Sequence, residues 1–204
     1  MPSRQNLVIV LHGVGANGAN LATVGETLRG FLPDAAFAAP DAPNPFDGGG
    51  SGRQWFSVVG INTANRAQRV EQARAGFDRI VAQEIEKAGF DGRLNRVAFF
   101  GFSQGAIMSL DAIATGRWPI GAVVAASGRL AFRPGPMAAT KTPVLLLHGG
   151  RDDVVSAQET VQANRILKNA GFEVDMRVYP ELGHAVSPDG LQAAGEFLAA
   201  KLAG

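Results

Sequence analysis

Short, almost continuously apolar runs alternate along this chain with segments of helical periodicity, and this alternation limits the folds that the chain can adopt. Runs of strand length lie at 7–11, 36–39, 97–100, 122–125, 144–147 and 174–179. Strands that are apolar on both sides are typical of a parallel sheet covered by helices on both faces. We therefore predict a mostly parallel α/β sheet of about six strands, in a single domain that covers 1–204 and carries no large lid.

Capping residues mark the expected helix boundaries. The segment 66–87 repeats apolar residues at intervals of three and four, and Gly89 is favourable for its C-terminal end. Ser156 and Glu159 have the spacing of a capping box, which predicts a helix that begins there. Ser187, which a proline follows, has the pattern of an N-cap, so the last helix is expected to begin at this position.

Composition excludes several classes of protein. The chain has no cysteine, so a disulfide scaffold, a thiolate metal site and a cysteine nucleophile are all excluded. Its formal net charge is +1 without a long run of like charges, which argues against a nucleic-acid partner. The first apolar run, 7–11, is too short for a signal-peptide core or a membrane span. We expect a cytoplasmic protein, and the excess of arginine over lysine favours a bacterial source.

The sequence 101–105 reads Gly-Phe-Ser-Gln-Gly, which is a G-x-S-x-G pattern. It lies between the apolar run 97–100 and a helical segment, and a sharp strand-to-helix turn at this place would expose the hydroxyl of Ser103 at the carboxyl edge of the sheet. Glycines are needed on both sides because side chains there would clash. The pattern predicts that Ser103 is a nucleophile, and a serine hydroxyl needs a base to become one.

The base has few candidates because the chain has only three histidines. In α/β-hydrolase-type sites the catalytic residues follow the chain order serine, acid, histidine. His12 precedes Ser103, and His148 directly ends the run 144–147 with no acid loop before it. His184, just beyond the last strand, alone satisfies the order and is the expected base.

The acid is expected after a strand that lies between the serine and the histidine. Asp152 and Asp153 both follow the run 144–147 closely. A capping role for either is weakened because Ser156 already provides the N-cap of the next helix. Three other acidic residues are interpreted as solvated surface residues: Asp111, Glu159 and Glu173.

Two chain segments supply backbone amides to the oxyanion hole in such sites, one after the nucleophile and one after an early strand. The candidates are therefore the amides of Gln104 and Val14, the latter in the sequence His-Gly-Val-Gly that follows the first strand. His12, in the same sequence, is interpreted as a residue that organises this loop rather than as a base.

The segment 40–65 is rich in proline and glycine and is long for a loop, which is typical of functional or disordered segments. Trp55 and Phe56 lie within it, and two alternatives stay open for them: they anchor the loop to the core, or they line a substrate pocket. We count both as pocket candidates, together with Leu182, which lies two residues before His184.

These residues together resemble the phospholipase/carboxylesterase family of small α/β-hydrolases, which includes the acyl-protein thioesterases. The similar motifs are 11–15, 40–43, the glycine run with 55–56, 101–105, 127–128, 148–155 and 183–184. Two positions differ from the family pattern: Asp153 stands where a proline is usual, and Ser57 stands where an aspartate is frequent. The match of the loop 148–155 implies that Asp152 is the acid and that Asp153 meets solvent.

The resemblance implies a serine hydrolase that cleaves carboxylic esters, or thioesters, through an acyl-enzyme, with no metal and no organic cofactor. The expected partner is a small acyl ester, and a homodimer is left open. Two other functions stay as alternatives: a peptidase or amidase with the same triad, and a binding module that has the fold without the activity.

Overall fold

A six-stranded parallel sheet is the centre of the computed structural model, which describes residues 5–203. Its strand order is β2-β1-β5-β6-β7-β8, and β3 and β4 form a separate short antiparallel pair. The strands are β1 (Asn6–Leu11), β2 (Ala35–Ala38), β3 (Asn44–Pro45), β4 (Arg53–Gln54), β5 (Val97–Phe102), β6 (Ala122–Ala126), β7 (Val144–Gly149) and β8 (Val174–Tyr179). All six predicted strands are present, whereas the β3–β4 pair within 40–65 was not predicted.

Five helices cover the two faces of this sheet. They are α1 (Ala22–Arg29), α2 (Arg66–Ala88), α3 (Gln104–Ala114), α4 (Ala157–Asn169) and α5 (Pro188–Leu202). Helices α1 and α5 pack on one face, and α2, α3 and α4 pack on the other. The predicted α/β architecture with helices on both faces is confirmed. Among the helices of residues 5–203, none is both long and apolar enough to cross a bilayer.

Strand β1 illustrates why the strands are apolar without alternation. Leu7, Ile9 and Leu11 contribute to the core beneath α2 and α3. Val8 and Val10 contribute to the opposite core beneath α1 and α5. Because successive side chains of a strand point to opposite faces, both sets are buried and both must be apolar.

The capping residues lie at the predicted helix boundaries with one difference. Gly89 adopts the left-handed conformation (φ 74°) after α2, and the Ser187 hydroxyl accepts a hydrogen bond from the first turn of α5. Ser156 caps α4 through its hydroxyl. The carboxylate of Glu159 does not complete a capping box, since it pairs with Arg66 at 2.7 Å instead. The predicted capping box is therefore not formed, because the Ser156 hydroxyl accepts from Gln158 rather than from Glu159.

The interpretation of Asp111 as a surface residue is wrong. Its side chain is fully buried on α3, where both carboxylate oxygens accept hydrogen bonds from Arg74 of α2 at 2.9 Å. Arg117 donates to the same carboxylate at 2.8 Å. A buried charge needs such partners, and these tie α2 to α3. Glu173 is exposed, as expected.

We expect Asp111→Asn to lower the free energy of unfolding by about 3 kcal/mol, because two guanidinium groups would lose their buried counter-charge. Urea denaturation measures this loss. Glu71→Gln is the matched control, since Glu71 is exposed and contacts Arg74 at only 3.4 Å. Its cost is expected to stay below about 0.5 kcal/mol. Equal losses in the two variants would contradict the buried role of Asp111.

Candidate active site

Ser103 occupies a strained turn between β5 and α3. Its backbone has φ 53° and ψ −115°, a conformation that residues other than glycine rarely adopt. The amide of Ser103 donates to the carbonyl of Ala126 at 2.9 Å, and its carbonyl accepts from Ile107 at 3.0 Å. These bonds hold the turn from the neighbouring strand and from the first turn of α3.

The two glycines of the 101–105 motif are required by close backbone contacts. A Cβ atom on Gly101 would lie 2.6 Å from the amide nitrogen of Ala106, in the first turn of α3. A Cβ atom on Gly105 would lie 2.1 Å from the carbonyl oxygen of Leu11, at the end of β1. Helix α3 therefore approaches the sheet closely enough that only glycine fits at either position.

Three side chains that are far apart in sequence meet at the carboxyl edge of the sheet. The Nε2 atom of His184 lies 3.0 Å from the Oγ of Ser103. Its Nδ1 atom lies 2.7 Å from Oδ2 of Asp152. Because a carboxylate can only accept, Nδ1 carries the proton and Nε2 accepts from the serine hydroxyl. In this tautomer the lone pair of Nε2 points at the hydroxyl of Ser103.

The carboxylate of Asp152 is held on both oxygens. Oδ1 accepts from the amides of Val154 (2.9 Å) and Val155 (2.8 Å), while Oδ2 faces His184. Burial by itself would raise the pKa of Asp152, but the Val155 amide, His184 and the Val154 amide together outweigh it, so the pKa lies below its ordinary value. The adjacent Asp153 is exposed.

His148 braces the same loop from below. Its Nε2 atom lies 2.8 Å from the carbonyl of Val155 and 3.2 Å from Oδ2 of Asp152, and its side chain is fully buried. The carbonyl can only accept, so Nε2 donates to it and Nδ1 accepts from the Thr160 hydroxyl at 2.6 Å. In the sequence, His148 is recognisable only as a rejected candidate for the base. Its position four residues before Asp152 was the available signal for this contact.

His12 has a corresponding place beneath the loop that follows β1. Its Nε2 atom accepts from the Ala42 amide at 2.9 Å, so Nδ1 carries the proton and donates to the carbonyl of Gly13 at 2.7 Å. Burial is the main reason that the pKa of His12 lies below its ordinary value, and the ring is therefore neutral. A Cβ atom on Gly13 would lie 3.1 Å from the Cβ of Ser103, so the segment that carries Val14 runs beside the serine.

The structure corrects the pocket interpretation of Trp55. The indole is only 1% exposed, donates from its nitrogen to the carbonyl of His12 at 2.9 Å and packs edge-on against Phe77. A side chain so deeply buried has no surface for a substrate, and it anchors the segment 40–65 to the core. Phe56 is 5% exposed and belongs to the same core, whereas Leu182 is half-buried.

The side chain of Gln104 joins this segment to the serine turn. Its Oε1 atom accepts from the amide of Trp55 at 2.9 Å, and its Nε2 atom donates to the carbonyl of Phe56 at 2.8 Å. Because Gln104 is the first residue of α3, its own amide has no partner within the helix. One residue therefore orders the loop with its side chain and leaves its backbone N–H beside Ser103. The sequence motif predicts only the role of the Gln104 backbone, not that of its side chain.

Ser57, which replaces a frequent family aspartate, lies next to a carboxylate of another residue. Its hydroxyl donates to Asp47 at 2.5 Å, and this bond is the main reason that the pKa of Asp47 lies below its ordinary value. A negative charge is thus present beside position 57 although the residue itself is neutral.

Within residues 5–203, His, Asp and Glu side chains do not form a group of three that could surround a metal ion.

Sequence comparison decides the family. A model of the phospholipase/carboxylesterase family matches residues 2–202. The chain belongs to this family. Esterase YpfH of Escherichia coli is 36% identical over 194 residues, which cover 95% of this chain and 82% of that protein. Acyl-protein thioesterase 1 of Neurospora crassa is 28% identical over 214 residues, which cover 96% of this chain and 86% of that protein.

Two solved structures of other proteins have the same fold. Esterase PE8 superposes with a TM-score of 0.89 at 32% identity, over 98% of this chain and 94% of that one. SOBER1 of Arabidopsis thaliana gives a TM-score of 0.80 at 28% identity, over 97% and 99% of the two chains. This member of the family is therefore a hydrolase with an α/β-hydrolase fold and belongs to the esterase and thioesterase group.

We expect Gln104→Ala to destabilise the protein by about 2 kcal/mol, because the buried amide of Trp55 and the buried carbonyl of Phe56 would both lose their partner. Urea denaturation measures the loss, and hydrogen exchange at the Trp55 amide is expected to accelerate. Gln72→Ala, at an exposed position of α2, is the control and is expected to change neither. Unchanged exchange in Gln104→Ala would show that another contact orders the loop.

Proposed function

We propose that the chain hydrolyses carboxylic esters with Ser103 as nucleophile, His184 as general base and Asp152 as the acid that orients the imidazole. The observation that carries the proposal is the continuous hydrogen-bond path from Ser103 through His184 to Asp152, with distances of 3.0 and 2.7 Å. Such a path activates a serine because the base is already in the correct tautomer. The depressed pKa of Asp152 keeps its carboxylate charged opposite the imidazolium that forms.

The reaction proceeds in two halves. The Oγ of Ser103 attacks the ester carbonyl carbon while its proton passes to Nε2 of His184, and the carbonyl oxygen becomes an oxyanion. The backbone amides of Val14 and Gln104, which flank the serine, stabilise this charge. The imidazolium then gives its proton to the departing alcohol oxygen, which leaves an acyl-enzyme. Water, deprotonated by His184, attacks the acyl carbon, and Ser103 regains its proton.

The substrate is proposed to be a soluble acyl ester or thioester. Relatives named as an esterase and as acyl-protein thioesterases support both leaving groups. Leu182, which is half-buried, and Phe102, whose ring centroid lies 5.0 Å from that of His184, are the proposed apolar contacts for the substrate. We propose that the enzyme acts in the cytoplasm, as predicted from the sequence.

Matched substrates separate the reaction classes. An ester, a thioester and an amide of the same acyl group, each in several chain lengths, give a ladder of leaving groups. We expect turnover of the oxygen ester and of the thioester, with the amide at least about a hundredfold slower because its leaving group is poorer. Amide cleavage as fast as ester cleavage would instead support the peptidase alternative.

Ser103→Ala is expected to lower kcat/KM for a soluble ester by about 10³-fold or more, because the nucleophile is lost. Labelling by a fluorophosphonate probe, which reacts only with an activated serine, is expected to disappear. Ser127→Ala is a matched control: Ser127 directly follows the neighbouring strand β6, also has a positive φ (52°), and its hydroxyl has no partner within residues 5–203. This control should keep its labelling. A wild-type chain that the probe does not label would support the binding-module alternative.

The adjacent acids give a sharp comparison. Asp152→Asn is expected to lower kcat by about 10³- to 10⁴-fold, because the amide favours the wrong imidazole tautomer. Asp153→Asn is expected to change kcat by no more than about twofold, since its side chain is exposed. Steady-state kinetics of the two purified variants measure both effects. If Asp153→Asn had the large effect and Asp152→Asn the small one, Asp153 rather than Asp152 would be the acid that pairs with His184.

A further inference from the structure

Strand β8 is an edge of the sheet, and within residues 5–203 no further strand pairs with its outer side. The carbonyl of Glu173 accepts from Val144 of β7 at 2.9 Å, and that of Tyr179 accepts from Gly150, directly after β7, at 2.7 Å. Odd-numbered residues of this segment therefore face β7. Because the N–H and C=O of one residue point to the same side of a strand, Val174, Met176 and Val178 direct theirs to the open edge. Such a row is a template for a further strand.

The two edges of the sheet differ in how they are protected. At the opposite edge, β2 has only four residues and Pro40 follows it closely. Strand β8 has six residues, with neither proline nor lysine among them. Met176 and Val178 are 36% and 38% exposed, which is high for apolar side chains of a strand. Proteins that keep such an edge free often protect it with lysine, proline or a bulge, whereas the two charges of β8 are of opposite sign.

The two charged residues of β8 have opposite signs and lie on either side of Met176. Asp175 and Arg177 flank Met176, both are exposed, and neither forms an ion pair with another side chain in residues 5–203. In an antiparallel pair of two β8 strands centred on Met176, Asp175 lies opposite Arg177 of the second copy, and the twofold axis repeats this pair. Centring on Asp175 or on Arg177 would place like charges opposite each other, which disfavours those registers.

We propose that two copies of the chain associate through antiparallel pairing of β8 with β8, centred on Met176, to form a continuous twelve-stranded sheet from two six-stranded ones. The backbone groups of Val174, Met176 and Val178 supply the hydrogen bonds, and Asp175 with Arg177 selects the register. Met176 meets its own copy, and Val174 meets Val178 of the other copy, so the exposed apolar side chains become covered. The contact is small, so the dimer dissociates on dilution.

Charge reversal tests the partner and the register together. Asp175→Arg and Arg177→Asp each place like charges opposite each other at two positions of the dimer. Each variant alone is expected to dimerise at least about tenfold more weakly than the wild type. An equimolar mixture restores opposite charges at both positions and is expected to form a heterodimer of near wild-type affinity. Sedimentation velocity over a concentration range of about a hundredfold measures the dimerisation of the wild type, of each variant and of the mixture.

Control measurements distinguish an effect on dimerisation from a loss of folding or of activity. Arg79→Asp reverses a charge at an exposed position of α2 and is expected to keep wild-type dimerisation. Ester hydrolysis and urea denaturation of each charge variant verify that the monomer is folded. A wild-type chain that is monomeric throughout the range overturns the proposal. A dimer that neither reversal weakens, or a mixture that stays monomeric, overturns it as well.

A thiol gives an independent measurement, because the chain has no cysteine of its own. In the proposed register the two Met176 Cα atoms are about 5.5 Å apart, which a disulfide can span. Mild oxidation of Met176→Cys is expected to give a covalent dimer that reduction reverses. Val161→Cys, at an exposed position of α4, is expected to stay monomeric under the same conditions. Equal cross-linking of both variants would overturn the register.

Discussion

The close approach of α3 to the sheet is the constraint on which the rest of the site depends. Gly105 lets the helix pack against the carbonyl of Leu11, and Gly101 lets the strand turn directly into it. At this turn Ser103 adopts a strained conformation with a positive φ. Strain of this kind persists only where the surroundings determine the backbone, and here the bond from Ser103 to Ala126 and the helix itself do so.

Two buried histidines hold the loops on either side of that serine. His12 links the loop after β1 to the start of the segment 40–65, and His148 links the loop after β7 to α4. Both use each ring nitrogen for a fixed partner, so neither is free to move a proton. His184 differs because it is 17% exposed and its Nε2 faces a hydroxyl that can react. Burial and partners, rather than residue type, separate the structural histidines from the proposed base.

Asp152 is the point at which these loops join. Three donors bind its carboxylate, the amides of Val154 and Val155 and the Nδ1–H of His184, and the ring of His148 lies 3.2 Å from Oδ2. The two amides belong to its own loop and fix its orientation whatever the protonation state of His184. The opposing effects of burial and hydrogen bonding on its pKa are therefore resolved in favour of the charged form.

Local signals in the sequence determined the strands, the serine turn, the phospholipase/carboxylesterase resemblance and the choice of His184 by chain order, because each depends on neighbouring residues or on order along the chain. Tertiary structure alone decided the roles of Asp111, Gln104 and Trp55. Asp111 looked like a surface residue because its partner Arg74 is 37 positions away on another helix. Trp55 was ambiguous because its contacts with Gln104 and with His12 span 49 and 43 positions. Burial and pairing at such separations are properties of the packed molecule, which no pattern within a short segment of sequence records.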